Sequence, residues 1–258
     1  MGLEGVSLNL IDSVEDAFEF MRWLSTVQGP LAFDVETTGL SPETDTVRLC
    51  QFGDANTGWA MDFSKWSGVV HDVVKRWQGE YTGHNSSFDY SMLKKHGIEV
   101  PKHKIHDTRL MVHTQDPVNP TGLKQVAARL VDRTAAGLSR QLDDALGVRG
   151  GWSWATVPIT ADGPMSIYWQ YGALDTVLSR RVFDIEYPIV MRDCPNAYAI
   201  ELAASWVVEK MQRRGCVIDR PFVEEKSRQF FQYVEQLEQW CISNYGVKPG
   251  SNDLSIGT

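Results

Sequence analysis

The sequence predicts an α/β fold in which a mixed β-sheet is flanked by helices and followed by a C-terminal helical extension. Strand-like patterns come first, between Leu31 and Phe63. Strand and helix patterns then alternate as far as Lys95, and the patterns beyond Thr121 are helical. This order is typical of a mixed sheet with helices on its faces. The 258 residues suffice for one large domain and a smaller appendage.

The amino-terminal segment predicts a helix and then a meander of three strands. Apolar side chains recur at helical spacing from Val14 to Leu24, with Ser13 as the N-cap, and Gly29-Pro30 then breaks the chain. The next residues alternate with the period of two that is typical of a strand, so Asp34 and Glu36 share one face. The strands are predicted at Leu31 to Glu36, Val47 to Phe52 and Gly58 to Phe63.

The central segment predicts helix and strand in alternation, and then helices alone. One apolar stripe at helical spacing runs from Leu123 to Leu130 and another from Leu138 to Leu146. The glycine-containing stretch from Gly147 to Pro164 predicts a loop. The alternating elements are a helix from Trp66 to Trp77, a short buried strand from Tyr81 to His84, and a helix from Ser87 to Lys95 that Gly97 ends.

The C-terminal segment predicts three helices, and we divide the chain into a domain of residues 1–192 and a helical extension of residues 193–258. A stretch of about 60 residues is too short to bury a good core by itself. The extension must therefore dock on the first domain or begin a further one. The first helix starts near Ser166 and runs toward Tyr187-Pro188. The second carries an apolar stripe from Ile200 to Met211 and ends at Gly215. The third is capped by Asp219 and runs from Pro221 to Tyr245.

Composition indicates an ordinary globular protein of the cytoplasm. No apolar run approaches the roughly 20 residues that span a bilayer, so no membrane role is expected. The four cysteines lie far apart without ligand spacing or a secretory leader, which favours reduced thiols. The formal charge of −8 does not exclude a nucleic-acid partner. A nuclease that works through divalent cations needs a local acidic cluster, and the bound cations reverse the sign that the substrate meets.

Three short segments carry candidate catalytic residues. Hydrolysis of a phosphodiester requires an activated water and a stabilised oxyanion, which two divalent ions about 3.5 to 4 Å apart can supply together. Magnesium prefers hard oxygen ligands, so several converging carboxylates are needed. The segments are Phe33 to Leu40, with Asp34 and Glu36; Asn85 to Asp89; and Tyr171 to Asp175.

Spacing places the candidate residues in pairs on helix faces. Tyr171 lies four residues before Asp175, so the two share a face, and a phenol there can orient the attacking water. Asn85 and Asp89 have the same spacing. Each segment alone has a structural interpretation: a solvated strand end for the first, helix capping for the second, and a buried tyrosine beside an exposed acid for the third.

The three segments in this order resemble the DEDD 3′ to 5′ exonucleases with a ribonuclease-H-like fold, in the subgroup whose third motif is Tyr-x-x-x-Asp. The resemblance extends to Val47–Asp54 and Gly122–Ala127 and covers about residues 8 to 190. It implies a 3′ to 5′ exonuclease with two divalent metal ions, Mg²⁺ with Mn²⁺ able to substitute. The four acids of the family pattern are all present, which favours a working enzyme.

The resemblance also implies roles for individual residues. Asp34, Glu36 and Asp175 would hold the ion that activates water, with Asp34 bridging to a second ion that Asp89 supports, while Tyr171 and Glu36 position the nucleophile. Leu40 would wedge against the terminal base. Thr37 and Asn85 would contact the terminal nucleotide.

The C-terminal part resembles the start of the polymerase module of family A DNA polymerases, the bacterial polymerase I type that is found also in phages. The similar segments are Val208–Met211, Gly215–Asp219 and Lys248–Asn252. The chain ends at Thr258 before the palm and fingers motifs, so nucleotide addition is not expected of it.

The resemblance favours a proofreading exonuclease that acts on the 3′ end of single-stranded or frayed DNA, with a polymerase module as a possible partner. One alternative is an RNA-processing exonuclease of the same subgroup, which the polymerase-like tail disfavours. Another is a non-catalytic DNA-binding module of a polymerase, which the complete set of acids disfavours.

Other polar and aromatic residues have open interpretations. Asp107 is predicted to cap the helix that follows it. Trp152 and Trp154 could stack on bases or anchor a core. Four lysines could track phosphates or form a solvated face; they are Lys94, Lys95, Lys102 and Lys104.

Overall fold

The computed structural model describes residues 3–146 and 151–250, and these contain one six-stranded sheet and nine α-helices. The sheet order is β1-β4-β3-β2-β5-β6. Strands β2, β3 and β4 are antiparallel neighbours, whereas β1 lies parallel to β4, and β5 and β6 extend the other edge in parallel. The strands are β1 Ser7–Ile11, β2 Leu31–Thr37, β3 Val47–Gly53, β4 Thr57–Asp62, β5 Tyr81–Gly83 and β6 Ile105–Asp107.

The helices lie at the predicted places along the chain. They are α1 Val14–Leu24, α2 Phe63–Arg76, α3 Ser86–Lys95, α4 Thr108–Gln115, α5 Leu123–Leu130, α6 Gly137–Ala145, α7 Ile167–Asp193, α8 Pro195–Arg214 and α9 Arg220–Tyr245. Ser13 caps α1 in a capping box with Asp16, and Asp219 caps α9. Within the described ranges no helix is long and apolar enough to cross a membrane.

The predicted α/β fold with a mixed sheet is confirmed, although two edge strands were not predicted. The meander of β2, β3 and β4 matches the three apolar runs. Strand β1 has five residues and β6 has three, and each pairs in parallel with a strand far away in sequence. Segments this short carry little periodicity of their own, so tertiary pairing decides their conformation.

Both faces of the sheet are covered. One face of β2 packs in the apolar core, and the other carries the acids. Phe33 and Val35 point into the main apolar core with Phe20 of α1 and Tyr90 of α3. The opposite face, which carries Asp34 and Glu36, lies beneath α7, a helix that packs across β2, β3 and β4. The helix crossing therefore determines what the acidic face of β2 meets.

Small residues allow α7 to lie close to the sheet. A Cβ atom added at Gly58 of β4 would stand 2.2 Å from the carbonyl oxygen of Ala173. One added at Gly53 of β3 would stand 2.3 Å from Oγ1 of Thr176, and one at Gly172 would meet the buried Gln51 side chain. Glycine at these positions lets backbone and helix approach to distances that a side chain forbids.

The end of α7 differs from the prediction because the helix continues past Pro188 to Asp193. A proline removes one helical hydrogen bond, and packing can offset that cost. Phe183 and Val190, on either side of Pro188, are buried in one apolar cluster with Tyr198 of α8. This packing holds the helix in place on both sides of the proline.

The apolar stripe that predicted α8 is not the face that packs. Ile200 and Met211 are 69% and 65% exposed. Tyr198 and Glu209 are buried instead, and Trp206 packs against the main core. Two aromatic side chains bury more area than the small residues of the stripe, so they determine the rotation of the helix.

The described chain divides into two compact units, with the boundary between Arg213 and Arg214. Helices α1 to α8 belong to the first unit, apart from the last residue of α8. In the second unit, α9 has no fully buried residue among those described, and its exposed apolar side chains include Phe230, Phe231 and Trp240. The division into residues 1–192 and 193–258 as functional domains stays a prediction.

Candidate active site

Three of the predicted acids converge at the centre of the sheet. Strand β2 contributes Asp34 and Glu36 from one face, and α7 contributes Asp175 from above. One carboxylate oxygen from each of the three residues lies within 4.8 Å of the other two, as the ligands of one metal ion would. Asp175 is buried, so the alternative of an exposed helix acid is wrong. Asp34 and Glu36 are half-buried, which argues against a merely solvated strand end.

Asp89 reaches this group through Asp34. It is a buried residue in the first turn of α3, and one of its carboxylate oxygens accepts a hydrogen bond of 3.1 Å from the amide of Val35. The side chains of Asp89 and Asp34 are hydrogen-bonded when one of the two carboxyl groups carries a proton. The carboxylate therefore binds strand β2 instead of capping its own helix.

Burial and mutual repulsion perturb the acids. Burial raises the pKa of Asp34 to about 7, although the positive charge of Lys124 opposes the shift. Burial raises the pKa of Glu36 well above its ordinary value, and the charge of Asp34 raises it further. The pKa of Asp89 is raised by burial and then by Asp34. Crowded carboxylates of this kind are stable as anions only beside a cation, so the donor set fits a divalent metal ion.

Lys124 on α5 is a residue of the site that sequence reasoning missed. Its ammonium forms an ion pair with the Asp175 carboxylate, and its Nζ atom lies 4.2 Å from the centroid of the Tyr171 ring. Burial lowers the pKa of Lys124 to about 8, although Asp34 and Glu36 oppose this shift. In the sequence, Lys124 is a lysine inside the Gly122–Ala127 segment, next to an apolar stripe. An ordinary surface lysine gives the same pattern, so the sequence alone does not identify Lys124 as a residue of the site.

Tyr171 lies one turn before Asp175 and is fixed by its neighbours. Its ring contacts the Lys124 ammonium on α5, and the ring centroid of Trp154 lies 5.9 Å away. Burial raises the pKa of the Tyr171 hydroxyl, and the charges of Glu36 and Asp34 raise it further. The phenol therefore stays protonated at neutral pH and can donate a hydrogen bond.

Trp154 anchors the loop before α7. Its ring also contacts Tyr168, and its carbonyl accepts a hydrogen bond of 2.7 Å from Arg48. These contacts favour the anchoring interpretation over base stacking. Trp152 is half exposed and forms an isolated β-bridge with Leu146. Residues 147–150 of the predicted loop lie outside the described residues.

Asn85 is held in a left-handed conformation at the start of α3. Its φ is 71°, and among the described residues other than glycine it is the one with a positive φ. The side chain makes no capping hydrogen bond, so the capping interpretation is wrong, and Arg109 donates to its oxygen at 3.2 Å. Asp107 caps α4 as predicted and also accepts hydrogen bonds from the amides of Asn85 and Ser86.

The loop after β2 presents Leu40 to solvent. Leu40 is 85% exposed, and Thr37 is buried with its hydroxyl donating to the carbonyl of Gly39 at 2.6 Å. Asp45 braces the loop by accepting hydrogen bonds from Thr38 and Ser41. A cavity of about 670 Å³ lies between this loop, α3 and α8. Leu40 and Asn85 both line it, whereas Thr37 lies beneath the loop.

The four lysines of the central segment take part in contacts within the protein. Lys94 pairs with Glu99, and Lys102 pairs with the buried Glu209 at 2.6 Å. Lys95 and Lys104 donate to backbone carbonyls. These contacts favour a structural role over a track for phosphates.

Known proteins are similar to this chain in sequence or in fold. The chain is 25% identical, over an alignment of 272 positions with gaps, to the DNA polymerase of Mycobacterium phage L5. The match covers 98% of this chain and 45% of the polymerase. For the DNA polymerase of Mycobacterium phage D29 the identity is 24% over 259 residues, with 94% and 42% covered. The chain spans less than half the length of these relatives.

Solved structures confirm the predicted ribonuclease-H-like fold. Brucella melitensis NrnC with bound Mg²⁺ has a TM-score of 0.55 and 17% identity, covering 85% of this chain and 98% of NrnC. The catalytic core of RRP6 from Trypanosoma brucei has a TM-score of 0.56 and 18% identity, covering 81% of this chain and 53% of that one. The family described as 3′-5′ exonuclease matches residues 11–185, which is more than half of the chain. The chain therefore belongs to the 3′-5′ exonuclease family.

Proposed function

We propose that this protein is a proofreading exonuclease, which removes 5′-mononucleotides from the 3′ end of single-stranded or frayed DNA. The observation that carries the proposal is the convergence of Asp34, Glu36 and Asp175 within 4.8 Å, with Tyr171 one turn from Asp175. Carboxylates from a strand and from a distant helix meet where a phosphodiester could be bound. The family match supports the direction of hydrolysis.

Asp34, Glu36 and Asp175 would hold one divalent ion, and Asp34 with Asp89 a second. Mg²⁺ is the expected ion, and Mn²⁺ should substitute for it. When bound, such ions lower the pKa of water and stabilise the oxyanion that leaves. The raised pKa values of the crowded acids support a cation here, because anionic carboxylates without one repel each other.

The protein's own groups position the reactants. The protonated hydroxyl of Tyr171 donates a hydrogen bond to the attacking water, and Glu36 accepts one, so the lone pair of the water is aimed at phosphorus. Leu40 wedges against the terminal base, while Asn85 and Thr37 contact the terminal nucleotide. The αL conformation of Asn85 and its hydrogen bond from Arg109 fix the amide in one direction. The exposed Leu40 is available for stacking.

The proposal of DNA as substrate rests on the relatives, which are DNA polymerases. Because the chain spans less than half of each polymerase, we also propose that it works with a polymerase module. On this view residues 1–192 are the nuclease domain and residues 193–258 begin the polymerase module. The nuclease would then remove the nucleotides that the polymerase misplaces.

The test compares DNA and RNA oligonucleotides of equal sequence, each labelled at its 5′ end, with Mg²⁺ or with a chelator. We expect a ladder of products shortened one nucleotide at a time, faster on DNA than on RNA, and no products with the chelator. A bulky group on the 3′ end should stop digestion. Faster cleavage of RNA would contradict the choice of DNA, and cleavage of the blocked strand would indicate an endonuclease.

A further inference from the structure

Lys124 brings a positive charge into the carboxylate group without being one of its proposed metal ligands. Its side chain is 17% exposed, and its ammonium contacts the carboxylate of Asp175. The same ammonium lies over the ring of Tyr171, 4.2 Å from the centroid. It acts electrostatically on Asp34 and Glu36 as well. Lys124 thus lies beside the acids of β2, the acid of α7 and the phenol of Tyr171.

Lys124 and a divalent ion would bind the same carboxylate. A buried ammonium is stable only when it is paired, and here its partner is Asp175. Asp175 is also one of the three residues whose oxygens lie within 4.8 Å of one another. Two cations that use one carboxylate at such short range repel each other. The arriving ion must therefore separate the ammonium from Asp175.

We propose that Lys124 is the resident counter-cation of the metal site, which holds Asp175 and Tyr171 in position until a divalent ion displaces it from Asp175. This inference rests on the proposed function, because the metal ligands are part of that proposal. Lys124 is on this view a positioning residue. It keeps the acidic group assembled in the metal-free enzyme at the cost of weaker metal binding.

Replacement of Lys124 by methionine separates this role from packing. Methionine keeps most of the apolar stem and removes the charge. The variant should bind Mn²⁺ on the order of tenfold more tightly, because the competing charge is gone. In a chelator its melting temperature should fall, because the buried acids lose their cation, and Mn²⁺ should restore it by a larger increment than in the wild type. Lys124→Arg, which keeps the charge, should lie closer to the wild type in both measurements.

The experiment measures free Mn²⁺ by electron paramagnetic resonance during titration, and thermal unfolding with Mn²⁺ or chelator. Lys75→Met, which alters an exposed lysine at the end of α2, is the matched control. Equal or weaker Mn²⁺ binding by Lys124→Met than by the wild type would overturn the inference and leave the proposed function standing. Failure of the wild type itself to bind Mn²⁺ would overturn both.

A second measurement needs no variant. In the wild type, Mn²⁺ should raise the rate at which reductive methylation labels Lys124, relative to Lys75, because the ammonium leaves its ion pair. Mass spectrometry of the labelled peptides follows both rates. An unchanged ratio of the two rates would show that the ion does not displace Lys124, and would overturn the inference.

Discussion

Asp34 is the residue through which the parts of the site are connected. Its carboxylate belongs to the three-acid group, and it shares a hydrogen bond with Asp89. Its pKa of about 7 shows how strongly burial opposes its charge. A residue in this position serves both proposed ions, so its loss should be more severe than the loss of an acid at the edge of the group.

We predict that Asp34→Ala reduces the degradation of 5′-labelled single-stranded DNA, with Mg²⁺ or Mn²⁺, to below about a tenth of the wild-type rate. The protein should stay folded, since removal of an anion relieves repulsion among the buried acids. Asp72→Ala, which removes an exposed ion pair with Arg76 on α2, is the control and should be fully active. Retention of more than a tenth of the rate by Asp34→Ala would rule out the metal-ligand role.

Tyr171 supplies a second prediction at this scale. Tyr171→Phe keeps the ring between Lys124 and Trp154 and removes the hydroxyl. We expect kcat to fall by about a hundredfold while KM changes little, because the hydroxyl positions water and not the nucleic acid. The control is Tyr168→Phe on the same helix, which removes a buried hydroxyl that lies beside Arg48 and has no proposed part in positioning the water. Equal loss of kcat in both variants would assign the effect to packing.

At the scale of elements, the junctions between β5, α3, α4 and α5 are fixed by buried polar groups. Asp107 caps α4 and binds the first amides of the α3 turn. His84, just after β5, makes hydrogen-bond contacts with the Thr108 hydroxyl at 2.9 Å and the Thr121 carbonyl at 2.7 Å. These groups connect the elements that carry Asn85, Asp89 and Lys124.

His84 gives this junction a pH dependence. Burial lowers the pKa of His84 to about 4, whereas an unfolded histidine titrates near 6.5. As the pH falls below about 6.5, the His84 imidazole becomes protonated in the unfolded chain but stays neutral in the folded chain. The free energy of unfolding therefore falls. The contribution of His84 to this loss reaches about 3 kcal/mol near pH 4.

We therefore predict that His84→Gln loses less unfolding free energy than the wild type between pH 7 and pH 4.5. Urea unfolding at the two pH values measures the difference, and comparison with the wild type cancels the contributions of the buried acids. His113→Gln, at an exposed position on α4, should behave as the wild type. Parallel pH profiles for wild type and His84→Gln would contradict the assignment.

At the scale of the whole molecule, the distance between α7 and the sheet decides whether the site exists. Asp175 is far from Asp34 in sequence, and it meets the strand because Gly53, Gly58 and Gly172 permit a close crossing. The buried side chains of Leu49, Ala60 and Ala173 pack together in one apolar cluster at this crossing.

We predict that Gly58→Ala moves α7 away from β4, because the added Cβ would stand 2.2 Å from a backbone oxygen. Overpacking of this kind costs about 1–3 kcal/mol of unfolding free energy. Nuclease activity should fall even at temperatures where the variant is fully folded. Gly68→Ala in α2, where nothing lies within 4 Å of the added atom, should be at least as stable as the wild type and fully active. Full activity of a folded Gly58→Ala would contradict the role given to the crossing.

The sequence by itself determined the α/β class, the central meander, the helix positions and the acids, because each has a local signal: period-two alternation, helical stripes, caps and short motifs. Only the tertiary structure decided which acids converge, since the oxygens of Asp34 and Asp175 meet through the crossing of α7 over β2. It also decided the edge strands β1 and β6, the face of α8 that packs, and the place of Lys124. These depend on contacts between residues far apart in the chain, and a local pattern does not record which partner a lysine or a three-residue strand will find.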